Sequence, residues 1–144
     1  MRLPVLRSLF VVLACAVVVA GCGSKSVSSA SVAEVKSAFD HHGVPLQGPH
    51  TVRVAGVRAS AFQYDVSKLV TGRTVAGQWL VVLVFGTQSD VGRILQNSHE
   101  RQVMQAYHLT VFAHRNVLVT ILRGAATPDH VARVRAALAQ ATGG

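Results

Sequence analysis

Seven consecutive apolar residues, Trp79-Leu-Val-Val-Leu-Val-Phe85, constrain this chain more than any other stretch. A strand with one face in water alternates apolar and polar side chains. An unbroken run rich in β-branched residues does not, so it reads as a central strand buried on both sides or nearly so. A second run, Asn116-Val-Leu-Val-Thr-Ile-Leu122, reads as another core strand. It forms a pair with His108–Ala113 across a tight turn at Arg115-Asn116, because Asn tolerates a positive φ.

Between residues 51 and 66 the pattern is alternating. Val52 and Val54 flank Arg53, and Phe62, Tyr64 and Val66 are spaced by Gln63 and Asp65. Two half-buried antiparallel strands are expected, joined near Gly56–Ser60. Ser67–Gly77, with Gly72 and Gly77, reads as a loop. Phe62, Tyr64 and Phe112 are read as core side chains, and Trp79 as packing at the end of its strand.

Three helices punctuate the strands. Ser31-Val-Ala-Glu34 has the form of a capping box, and Val32, Val35 and Phe39 fall on one face, which predicts a helix over about 32–42 ended by Gly43 and Pro45. Thr87-Gln-Ser-Asp90 opens a second helix with Val91, Ile94 and Leu95 on its apolar face, reaching about residue 103. Thr127-Pro128 caps a third over about 128–141, with Val131, Val134, Leu138 and Ala141 in register. The order is α-β-β-β-α-β-β-α. Hairpin connections imply a mostly antiparallel sheet of about five strands. Each helix has a single apolar stripe, which suggests a two-layer α/β (α+β) sandwich with the helices on one face. The domain is expected over 31–142.

The first 30 residues follow another logic. Arg2 and Arg7 precede an apolar stretch of 11 residues, Leu9–Val19. That is too short to span a bilayer, which takes roughly 20 apolar residues, but suits a signal peptide. It ends in Val19-Ala20-Gly21-Cys22. This tetrad resembles the lipobox of bacterial lipoproteins: an aliphatic residue, two small residues and a cysteine closing a hydrophobic leader. The resemblance implies that residues 1–21 are a lipoprotein signal peptide, with Val19, Ala20 and Gly21 recognised by a type II signal peptidase. It further implies that the Cys22 thiol carries diacylglycerol and that Cys22 becomes the new N-terminus. Two acyl chains at roughly 0.8 kcal/mol per CH₂ give stable anchoring. Gly23–Ala30, rich in Ser and Gly, reads as a tether, so 22–30 would link membrane and domain. The implied location is the outer face of the cytoplasmic membrane, or the outer membrane in a two-membrane host.

The chain has two cysteines, Cys15 and Cys22. With one in the leader and one lipidated, the mature domain would have neither a disulfide nor a reactive thiol. The formal net charge is +8; losing Arg2 and Arg7 leaves 12 Lys/Arg against 6 Asp/Glu, or +6. Such an excess favours anionic surfaces. No interleaving of basic and aromatic residues suggests nucleic acid.

Catalytic signatures are missing. There is no GxSxG, no HExxH and no GxxxxGK. Seven histidines (His41, His42, His50, His99, His108, His114 and His130) show no metal-ligand spacing, although His42, His50 and His99 could converge from separate elements. The acids Glu34, Asp40, Asp65, Asp90, Glu100 and Asp129 are in several cases explained by helix caps. No catalytic residue, metal or cofactor is assigned. The expectation is a membrane-anchored, non-enzymatic binding module for an envelope protein or another ligand. The alternatives are a small metal-dependent or hydrolytic envelope enzyme and a module that binds envelope polyanions or anionic lipid.

Overall fold

The computed structural model describes residues 28–65 and 78–144. The leader, the Val19–Cys22 tetrad, most of the tether and the loop expected over 67–77 lie outside the described residues, as do the side chains of Asp65, Gln78 and Trp79. The elements are α1 (Val32–His41), β1 (Gln47–Val54), β2 (Val57–Asp65), β3 (Gln78–Phe85), α2 (Gln88–Gln96), α3 (Ser98–Ala106), β4 (Leu109–His114), β5 (Val117–Leu122) and α4 (Pro128–Ala141). The strands form one five-stranded sheet in the order β1-β2-β3-β5-β4, antiparallel at every pairing. The α+β class, the antiparallel sheet and the alternation of elements are those the sequence implies.

Local chemistry sets the helix ends. Ser31 Oγ accepts from the Glu34 N–H at 3.2 Å, and Glu34 Oε2 accepts from the Ser31 N–H at 2.7 Å, so both halves of the capping box are made. Thr127 caps α4, with proline in its first turn, and the helix buries Val134, Ala137 and Leu138. The helix expected to run from Thr87 to about 103 is two helices. Asn97 stands between them with φ −67° and ψ 123°, closing α2 and capping α3. Its Oδ1 accepts from the N–H groups of His99 at 3.0 Å and Glu100 at 3.1 Å. Asparagine competes with helix-interior bonding by capping in this way, which is why the break falls here.

The helices do not share one face of the sheet. On one side Leu80, Val82 and Val84 of β3 pack with Val35 and Phe39 of α1 and Val134 and Leu138 of α4. On the other, Leu83 and Phe85 pack with Val91 and Ile94 of α2, and Met104 of α3 lies at the margin. The expected two-layer sandwich is therefore three layers, with two helices on each side. A helix with one apolar stripe needs one sheet face but does not specify which. A strand apolar at every position needs both.

The β1–β2 and β4–β5 hairpins each close on two residues. Val54 pairs with Val57, and Ala55 and Gly56 take φ of 46° and 82°. The turn thus lies just before the expected Gly56–Ser60, and two positive φ values match the right-handed twist of the strands. β1 also starts earlier than the alternation suggested: its register shifts between Gln47 and His50, around the cis Gly48-Pro49 bond. The second turn is at Arg115-Asn116 as expected, but Arg115 takes the positive φ, 53°.

Candidate functional site

One end of the sheet gathers the β1–β2 turn, the exit of β3, the β4–β5 turn, the start of α1 and the end of α4. Asn116 is at its centre, 1% exposed. Its Oδ1 accepts from the Ala30 N–H at 2.8 Å, and its Nδ2 donates to the carbonyls of Ala30 at 2.9 Å and Phe85 at 2.8 Å. Both backbone groups of Ala30 are thus held by one amide, while the Phe85 N–H donates to the Asn116 carbonyl at 2.8 Å. Ser29 Oγ adds a bond to the Gly86 carbonyl at 3.2 Å. Ala30 is buried. The last residues of the stretch expected to be tether are therefore docked on the domain. The turn assignment found Asn116 but missed this role, because a buried amide that bonds to distant backbone leaves no local pattern in sequence.

Two open grooves flank the docked segment. One, of about 530 Å³, lies between α1 and the end of α4 and is lined by Ser28, Ser29, Glu34, Ser37, Arg115 and Gln140 among others. The other, of about 630 Å³, includes Ser31, Arg58, Ser60 and Asp90. The acids in these walls are already engaged. Glu34 serves the α1 cap, and the bond from the Ser31 N–H, then that from the Ser31 hydroxyl, hold its carboxyl below the usual 4.5. Asp90 Oδ2 accepts from the Thr87 N–H and hydroxyl at 3.1 and 2.8 Å.

The arginines at this end are not so engaged. Arg53 and Arg58 are directly opposed across β1 and β2, one residue pair from the turn. Both are exposed. Arg53 donates to the Gly56 carbonyl at 3.2 Å. Among the described residues the ion pairs are Lys36–Asp40, Arg93–Asp90 and Arg133–Asp129, so Arg53, Arg58 and Arg115 have no carboxylate partner there. Arg115 is half-buried against the end of α4, where a Cβ on Gly143 would come within 3.4 Å of its Nη1.

The histidines are dispersed. His41 and His42 meet edge to face at 5.4 Å at the end of α1, and His42 Nε2 bonds Gln140 Oε1 at 2.8 Å. His50 lies on edge strand β1, and His99 in the first turn of α3 across the sheet, so His42, His50 and His99 are not brought together. Among the described residues no three His, Cys, Asp or Glu side chains form a set able to hold a metal ion. His114 Nδ1 is 2.6 Å from Thr142 Oγ1. The Thr142 hydroxyl donates to the Leu138 carbonyl at 2.6 Å, so it accepts from the Nδ1–H. An activated nucleophile needs the opposite polarity, with its proton pointed at the base. This pair instead ties the end of α4 to β4.

Phe62 is fully buried, and Tyr64 and Phe112 are partly buried against the same core. No helix among the described residues is long and apolar enough to cross a membrane. The chain matches no protein-family profile, no curated protein and no solved structure.

Proposed function

We propose that this chain is an extracytoplasmic lipoprotein, cut before Cys22 and anchored by lipid on that residue, whose folded part is a non-enzymatic binding module at the membrane surface. The observation that carries the proposal is Val19-Ala20-Gly21-Cys22 at the end of eleven apolar residues behind Arg2 and Arg7. Lipidation on a cysteine suits a domain in which Ser29 and Ala30, bonded at the start of the described residues, follow closely in the chain. The non-enzymatic half is supported by the use of Glu34 and Asp90 in caps and of Asp40 and Asp129 in ion pairs, and by the direction of the proton between His114 and Thr142.

The test is metabolic labelling with palmitate in a bacterial host. Wild type should take label and lose its leader, and Cys22→Ala should do neither. Normal cleavage and release of Cys22→Ala would overturn the anchor. A stoichiometric metal in protein purified without an affinity tag would overturn the non-enzymatic module.

A further inference from the structure

We infer that the sheet end bearing Arg53, Arg58 and Arg115 lies against anionic lipid headgroups, so that the anchored domain is held in one orientation on the membrane. The inference rests on the lipid-anchor proposal above. Its first support is geometric. Asn116 fixes Ala30 at this end of the sheet, beside the β1–β2 and β4–β5 turns. From Cys22 to Ser28 is six residues, which span at most about 20 Å. The opposite end is a strand length further away, about 26 Å for the eight residues of β3. Screening in physiological salt falls off over about 8 Å. With the strands along the membrane normal, Arg123, at that far end, stands beyond screening range of a surface that this end touches.

Charge is the second support. Directly opposed positions on antiparallel strands bring Cβ atoms to about 5 Å, and like charges there are destabilising. Arg53 and Arg58 occupy such a pair with no ion-pair partner among the described residues; Asp90 lines the same groove as Arg58, but its carboxylate is held on the α2 cap and beside Arg93. The fold thus holds two opposed arginines at its tip with no ion-pair partner among the described residues. A headgroup phosphate supplies the missing anions, and each arginine near such a surface is worth roughly fivefold in partitioning.

The experiment is hydrogen exchange on the full chain reconstituted into phosphatidylcholine vesicles and into mixed phosphatidylcholine–phosphatidylglycerol vesicles. The amides of the Ala55–Gly56 turn should exchange more slowly in the anionic vesicles, those of Arg123–Ala125 should not, and high salt should abolish the difference. Arg58→Glu exchanges a cation for an anion, two charge units, and should shift the docked-to-undocked ratio by about 25-fold. The same substitution replaces a repulsive pair with an attractive one, so its Tm should rise by about 2 °C. A variant that folds better and docks worse separates surface contact from stability. Equal exchange in both vesicles, protection at Arg123–Ala125, or unchanged docking of Arg58→Glu would overturn the inference. Palmitate labelling of the same samples separates the two proposals. Lipid-bearing protein with equal exchange retires the arginine contact alone, whereas salt-sensitive protection without lipid on Cys22 supports the contact and retires the anchor.

Discussion

Replacing Asn116 with alanine should weaken the whole fold through one amide. The side chain is 1% exposed and makes three bonds of 2.8–2.9 Å to Ala30 and Phe85. A neutral hydrogen bond contributes about 1 kcal/mol net, so the three contribute about 3 kcal/mol together. Water entering from the adjoining grooves would recover part of this, which puts the expected loss at about 2–3 kcal/mol. For a domain of this size that lowers Tm by roughly 8–12 °C. Thermal unfolding followed by circular dichroism measures the loss, and hydrogen exchange at the Ala30 amide should accelerate beyond the global effect. Asn116→Asp sharpens the test. It keeps an acceptor for the Ala30 N–H but sets a carboxylate against the carbonyl oxygens of Ala30 and Phe85, so at neutral pH it should cost at least as much as alanine. An aspartate variant milder than the alanine variant, or an alanine variant within about 3 °C of wild type, would refute this account.

Two further perturbations address the layering and the first cap. Ile94 is fully buried in the second core, so Ile94→Ala should cost about 3 kcal/mol by chemical denaturation; a loss below about 1 kcal/mol would mean that α2 does not cover that face. Glu34 has its carboxyl held below the usual 4.5, so the charged form stabilises the fold above that value and the contribution is lost as pH falls through the folded-state value. Wild type should therefore exceed Glu34→Gln in stability at neutral pH, and the gap should close as pH drops below 4.5; a gap unchanged in acid would refute the cap's charge dependence.

Features fixed by neighbours in the chain were legible in sequence. The Ser31 and Thr127 caps, the bounds of α4 and the β4–β5 turn are all local, and all match expectation. Legibility fails where two signals conflict or where partners are distant. Val91, Ile94 and Leu95 share a stripe that a single helix to residue 103 would extend, yet Asn97 also satisfies the signals for a cap, and the cap prevails. The layering is not legible in the helices, whose single stripes do not choose a sheet face. The run from Trp79 to Phe85 already required cover on both faces, and the parity that places Leu83 and Phe85 opposite Val82 and Val84 supplies it.

At the candidate site the distant partners matter most. The opposition of Arg53 and Arg58 depends on a turn one residue pair away at Ala55-Gly56; a turn within Gly56–Ser60, as the alternation suggests, would leave Arg58 in the connection and hide the pair. Asn116 was beyond such reasoning, because its partners are 31 and 86 residues away. Its position has a mechanical consequence. Under the anchor proposed above, chain from Cys22 would enter the described fold next to Ala30, whose two backbone groups are held by Asn116 at the start of β5, which also bonds to the end of β3. Load from such an anchor would pass to the ends of β3 and β5 rather than peel α1 from its cap. The Asn116 lock and the arginines of the β1–β2 hairpin share one end of the sheet, so in the proposed lipoprotein the attachment point would also determine which charges meet the membrane.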